Sequence, residues 1–461
     1  MMNEKIFVAT LAKQEEILSE LRGQRPKRYG YRVKISEPDT SARVEYIYDA
    51  VGMTPAFMDF AAGAFNYGSW RNVWFVRDNY PCMVRADGTE DYRLDPNNYN
   101  ARADGSTAAT DISNTAYNGN VMAAIPLVWV KRYQEDGYQY VIFCETQYDE
   151  GYKAYAHTRA DGTIAKVAYH AAFKGGLVSD KLRSLKDLWP ENNTNAQQEM
   201  DYAKANGANW CIRTWSLHEL ISDLLTLISK NMNAQAAFGS GCITGYVDDA
   251  SKHYGMTQCG SLCAKGQFFG YGPADTTHQV KVFHIEGFWG ERWDRLAGLV
   301  YDMGEWKAKM TAEGGGYNFT GAGYTAACAG VPHAVAESFG GWQRDTYQSE
   351  LGRFPTGQVT GSETTFEADF TWLNNTFCGV VLAGANCDNG WNCGPRYLNG
   401  NNAAGAAWWN IGASLSYPFT GRVAAQQCDC ISAAHAENYP ERGTVSKQNA
   451  QSREGNKRGK P

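Results

Sequence analysis

Charge is sparse in this 461-residue chain: 20% of its residues are Asp, Glu, Lys or Arg, and acids outnumber bases to leave a formal charge of −6. An acidic balance argues against a nucleic-acid footprint over the main body, because phosphate binding needs a basic surface. Long apolar runs are missing as well. No stretch approaches the roughly 20 apolar residues that a bilayer-spanning helix needs, and no apolar run of secretion-signal length follows Met1. The expectation is a protein made in the bacterial cytoplasm, without membrane insertion, which reaches any outside target on a carrier such as a virion.

Motifs for metal or nucleophile chemistry are equally scarce. Twelve cysteines include three close pairs, Cys259 and Cys263, Cys387 and Cys393, Cys428 and Cys430, none with C-x-x-C spacing. Free thiols in a reducing compartment are expected. His218-Glu219, His278, His284 with Glu286, and His333 fall into no HExxH-type constellation, and His284 and Glu286 read as a solvated pair on one strand face. The glycines at 314–316 lack the Lys-Ser/Thr close of a phosphate loop. No metal and no cofactor is expected.

What the chain has instead is 27 Tyr, 14 Trp and 48 Gly. Tyr and Trp supply rigid contact area with a polar handle, and Gly supplies the turns that hold such groups. The densest stretch is 385–416, where Asn, Gly and Ala alternate with aromatics after an apolar strand-like run at 377–382. Gly384, Gly390, Gly394, Gly400 and Gly405 permit tight turns, and Asn side chains can hydrogen-bond nearby backbone. Trp391, Tyr397, Trp408 and Trp409 are candidate contact anchors. For each of them core packing is the competing reading, and Asn401-Asn402 reads equally well as a plain turn.

Along the chain, 4–21 reads as an amphipathic helix, and 31–35 and 42–48 alternate like strands. Further strands are expected at 73–76, 82–85 and 124–132, the last forming a hairpin with 138–145 about Gly137. Residues 95–119 lack periodicity and read as a long loop. Helices are expected at 196–206 and from Ser216 to about Asn231, the second opened by a Ser216-to-Glu219 capping box. Short strands follow at 209–214, 280–286, 299–303, 306–310, 364–373 and 411–416. The last twenty residues set Arg442, Lys447, Arg453, Lys457, Arg458 and Lys460 among small polar residues and read as a solvated basic tail. One helix among many short strands and long loops indicates an α+β class.

Gly384-Ala385-Asn386, Asn389-Gly390, Asn392-Cys393-Gly394, Tyr397-Leu398, Asn401-Asn402-Ala403-Ala404 and Asn410-Ile411-Gly412 resemble the C-terminal variable region of proteins diversified by a retroelement. Such proteins carry that region on a C-type-lectin-type fold, and many act as phage receptor-binding tips. The helix at Ser216, the turn from Ile285 to Gly290 and the strand at 299–303 resemble the same fold in phage tail proteins. The resemblance spans about 124–418.

It implies a C-type-lectin-like ligand-binding domain at 124–420, after a smaller, mostly β attachment or oligomerisation domain at 1–123 and before a polar basic tail at 421–461. The ligand-binding positions it implies are Ala385, Cys387, Asp388, Trp391, Asn392, Asn399, Asn401, Ala406, Trp408 and Trp409, joined by Tyr397. Asn402, Asn410, Ile411 and Gly412 are expected to be scaffold.

The function that follows is a non-catalytic receptor-binding protein of a phage or prophage tail tip. Its expected partners are a host cell-surface protein or glycan and the tail or baseplate proteins, with a homotrimer as the expected assembly. A bacterial surface or secreted display protein is the alternative. A formylglycine-generating-type oxidase is third, because its cysteine pair would have to include the variable position Cys387. A calcium-dependent lectin is disfavoured: Trp391-Asn392 runs into Cys393, no Glu-Pro-Asn-type triplet precedes it, and Asp388 is the lone carboxylate.

Overall fold

The computed structural model describes residues 25–265, 275–329 and 337–417. Side-chain alternation sets its first layer. Along the strand Arg28–Lys34, Tyr29, Tyr31 and Val33 are buried while Arg32 and Lys34 face outward, as a period of two requires. This strand lies between Val44–Tyr48 and Tyr138–Cys144, and the latter forms a hairpin with Trp129–Glu135. The hairpin turn is Asp136-Gly137, both with positive φ (49° and 79°), which matches the twist of the paired strands.

A seven-stranded sheet follows, in the order Cys211–Ile212, Leu415–Tyr417, Val167–Ala171, Gly119–Pro126, Tyr80–Arg85, Glu90–Asp95, Asn98–Arg102. Strands from both sides of residue 123 therefore share these two sheets. The largest sheet has eight strands. Its path runs Thr325–Ala326, Glu305–Ala308, Trp293–Asp302, Cys378–Gly384, Gly394–Gly400, Phe370–Asn374, Ser338–Trp342, and Ile411–Gly412 joins Trp293–Asp302 in parallel. The fold is α+β with more strand than helix.

The helix Trp215–Ser229 is buried along its whole length. A helix sealed on every side belongs to the core, and Leu217, Leu220, Ile221, Leu224 and Ile228 pack with residues of the first sheet and with Phe288 and Trp289. Its buried polar residues, His218, Glu219 and Asp223, are paired with groups on other elements.

Several expectations need correction. Residues 73–76 contribute to a short helix, Trp74–Arg77, whose Trp74, Phe75 and Val76 are all buried; an unbroken apolar run carries no period to separate helix from strand. The 95–119 stretch contains the edge strand Asn98–Arg102. Residues 124–132 straddle the end of Gly119–Pro126 and the start of Trp129–Glu135, which lie in different sheets. Residues 280–286 form a tight hairpin, Lys281–Val282 and Ile285–Glu286, about Phe283 and His284 at φ 48° and 64°.

The capping box at Ser216 does not form. Thr214 is the N-cap without a side-chain cap bond, so Ser216 lies inside the first turn and Glu219 points elsewhere. The helix Ala196–Lys204 does carry a capping box, from Asn195 and Gln198. The helix expected at 4–21, the basic tail with Cys428 and Cys430, and His333 lie outside the described residues.

Candidate functional site

Both faces of the eight-stranded sheet carry apolar clusters. On the inner face Leu373, Val381, Ala383, Leu398 and Tyr301 pack into an apolar core with Trp215 and Trp306. Side chains one residue along point outward. Tyr397 is the hub of that outer face, 4.6 Å edge-on to Trp293 and 5.4 Å from Phe370, which continues to Trp342 at 5.8 Å and Trp372 at 6.4 Å. Aromatic side chains from four strands thus form one band. Its solvent end is Trp372, 42% exposed, which stands beside Asn399 in the sheet register.

Beyond Asn399 the sheet meets the 401–410 loop, and the junction forms an open cavity of about 270 Å³ lined in part by Trp293, Asn399, Asn402, Trp408, Trp409 and Asn410. The loop has little regular structure, yet its backbone is tied down. The Asn402 carbonyl accepts from the Val380 N–H (2.8 Å), Ala404 from Ala196 (3.0 Å), Trp408 from Asn193 (3.0 Å), and Asn410 from Trp293 (3.0 Å). Arg295 adds a bond to the Ala406 carbonyl at 3.0 Å. Asn399 Oδ1 accepts from the Asn401 N–H at 2.9 Å and from Asn402 Nδ2 at 3.3 Å, the local side-chain-to-backbone bonding that Asn favours.

Trp409 stacks on Tyr246 at 4.4 Å and lies 5.2 Å from Tyr254. The same 246–254 loop places His253 flat on Trp189 at 3.7 Å. The Trp391 turn, Gly390–Asn392, is anchored by the Gly390 N–H to the Ile243 carbonyl at 2.9 Å. The 246–254 loop thus packs its aromatics against both Trp409 and Trp189.

The expected ligand-binding residues divide cleanly. Asp388, Trp391 and Trp408 are exposed; Asn392, Asn399, Asn401, Ala406 and Trp409 are half-buried. Ala385, Cys387 and Tyr397, expected at a solvent-facing surface, are instead buried. Ala385 belongs to the apolar cluster of Trp293, Leu382, Tyr397 and Ile411. Cys387 turns inward, its Sγ 3.7 Å from the Tyr254 carbonyl. Tyr397 is wedged between Trp293 and Phe370. Of the expected scaffold residues, Ile411 and Gly412 are buried in pairing with Trp293–Asp302, and Asn402, Asn410 and Ile411 line the cavity.

The reading from sequence missed Trp342, Phe370, Trp372, Tyr246 and Tyr254. Phe370 and Trp372, two apart in an expected strand, were the available signal; nothing local tells which sheet face turns to solvent.

Beneath the aromatic face lies a buried ionic network. Gly394 opens the strand where a Cβ would collide with the Asp369 carboxylate, and that carboxylate accepts the Arg396 N–H at 2.6 Å. The Arg396 side chain then runs inward to Glu219 (3.1 Å) and to Asp223 of the long helix. Arg132 meets Asp223 at 2.6 Å, and Arg353 and Arg43 meet Glu367 at 3.3 and 3.5 Å. Burial raises the Asp223 pKa, but Arg132, Arg396 and Arg353 outweigh it and hold the group below its ordinary value. Glu367 is held low in the same way, by Arg353 and Arg43 against burial.

His284 and Glu286 are not a solvated pair. Both are buried; His284 Nδ1 is 2.9 Å from the Tyr99 hydroxyl, and Glu286 accepts the Gly260 and Leu262 N–H groups at 2.9 and 3.0 Å. Among the described residues every cysteine is a free thiol, no group of three His, Cys, Asp or Glu side chains is placed to hold a metal ion, and no helix is long and apolar enough to cross a membrane. No family model matches the chain, and no curated protein matches it.

Proposed function

We propose that the protein is a non-catalytic receptor-binding protein of a phage or prophage tail. In this reading a C-type-lectin-type fold presents the outer face of the eight-stranded sheet and the 388–410 loops to a molecule on the host cell. The observation that carries the reading is Trp408: its backbone is fixed by bonds from Asn193 and Ile411, while its ring is 59% exposed. An exposed indole on a tethered backbone is available for contact, and Trp is among the residues most enriched at dominant binding contacts. Trp391 (48% exposed) and Trp372 are further exposed indoles of these loops and this sheet. Several copies on one particle would raise a weak single-site affinity through effective concentration, which suits a homotrimer attached to tail or baseplate proteins.

The test is binding of fluorescently labelled full-length protein to a panel of bacterial strains. At least one strain should be bound, and a Trp372→Ala/Trp408→Ala double variant should lose tenfold or more of that binding. Equal binding by a folded double variant would remove the surface from the function. Genes flanking the coding sequence separate a virion component from a bacterial display protein: tail genes support the first. A reverse transcriptase with a near-copy of the 385–412 segment supports diversification.

A further inference from the structure

We infer that the cavity beside Trp408 is a subsite for one neutral sugar ring of a host-surface glycan; this rests on the surface reading above and names its ligand class. The argument starts from what lines the cavity. Three tryptophans (Trp293, Trp408, Trp409), three asparagines (Asn399, Asn402, Asn410), Leu382 and Ile411 line it, and none of them carries a charge. Without a cationic residue there is nothing to compensate a sulfate, phosphate or carboxylate, and without an anionic one nothing to hold an ammonium group.

The amides decide between the remaining neutral ligands. Asn399 Oδ1 is occupied by Asn401 and Asn402. Among the described residues no protein partner is found for Asn399 Nδ2, Asn402 Oδ1 or the Asn410 side-chain amide. The three asparagines are half-buried, and their amides offer both donors and acceptors. An aliphatic or aromatic protein side chain filling the cavity would strip water from them and return nothing. A sugar ring has both requirements in one molecule: hydroxyls that donate and accept against the amides, and an axial C–H face that packs on an indole.

Trp408 suits that second role. It makes no ring contact with another aromatic among the described residues, unlike Trp409, which is covered by Tyr246 and Tyr254. Its carbonyl accepts from the N–H groups of Asn193 and Ile411, which limits the backbone freedom that binding would have to remove.

The experiment is titration of the full chain with methyl glycosides of neutral hexoses and N-acetylhexosamines, and with N-acetylneuraminic acid as an anionic control. Tryptophan fluorescence and ligand-observed NMR provide the readout. At least one neutral glycoside should give a saturable response that weakens tenfold or more in Trp408→Ala and in Asn410→Leu, both retaining the wild-type circular dichroism spectrum. Absence of any saturable neutral glycoside, a response to the anionic control alone, or equal responses in both variants would overturn the assignment. Strain binding keeps the two readings apart. If protease treatment of the cells abolishes binding, periodate treatment does not, and no glycoside binds, the sugar subsite fails while the binding surface stands. If glycosides bind but no strain does, the surface reading fails instead.

Discussion

Arg396 donates from Nη1 to both carboxylate oxygens of Glu219, at 3.2 and 3.1 Å, across 177 residues of sequence. The contact ties the strand that carries Asn399 on its outer side to the buried long helix. The same alternation that turns Tyr397 and Asn399 outward forces Arg396 inward, so the external surface and the internal network are two faces of one strand. Arg396→Met should strand Glu219 and Asp223 without their shared partner, and breaking a buried pair of this kind costs about 3–5 kcal/mol. A fall in the urea midpoint would report it; an unchanged midpoint would mean that Arg132 and Arg353 suffice.

Two buried groups should give stability opposite dependences on pH. Burial, then the nearby Glu199 carboxylate, pushes the Glu191 pKa up to about 8. With an unfolded value of about 4.3, folded Glu191 keeps a proton that the unfolded chain has lost. Its contribution is complete below about pH 4.3 and is lost as pH rises through about 8. Glu191→Gln should flatten that arm in urea midpoints measured against pH.

His157 acts in the opposite direction. Burial lowers its pKa to about 3, and its Nε2 accepts the Val128 N–H at 3.3 Å as the neutral ring. The unfolded chain takes up the proton near pH 6.5, so this stability is present above about 6.5 and drains away toward 3. His157→Gln should flatten the acid arm of the same pH series.

Ala385 has φ of 68° inside an apolar cluster. A left-handed conformation strains any L residue, so Ala385→Gly should stabilise by about 0.5–1 kcal/mol. Ala385→Val should cost about 1–3 kcal/mol from crowding alone. A lower melting temperature for the glycine variant would refute the conformational argument, and tolerance of valine would return the position to the variable set.

The two adjacent tryptophans should behave differently. Trp408→Ala removes an exposed ring and should change stability by no more than about 0.5 kcal/mol. Trp409→Ala removes contacts to Tyr246 and Tyr254, each worth roughly 0.5–1.5 kcal/mol. Thermal melts of both variants, read beside strain binding, would show whether binding loss and stability loss separate as expected.

Local pattern was enough to expect strands at 31–35 and 42–48, where Arg28–Lys34 and Val44–Tyr48 form, a turn at Gly137, and a helix at 196–206, where Ala196–Lys204 forms, because alternation, turn residues and helical period are written in neighbouring positions. It was also enough to mark 385–416 as unusual and Trp391 and Trp408 as candidates for exposure. Tertiary structure alone decided which aromatics face water. Tyr397 and Trp408 differ little as residues, yet one is sealed by Trp293 and Phe370 and the other has no such neighbour. It likewise turned Glu219 from an expected cap into the partner of Arg396, since a buried carboxylate near a guanidinium gains more from that pairing than from a helix terminus. Burial and long-range charge pairing depend on which segments meet across a sheet, and no window of sequence contains both partners.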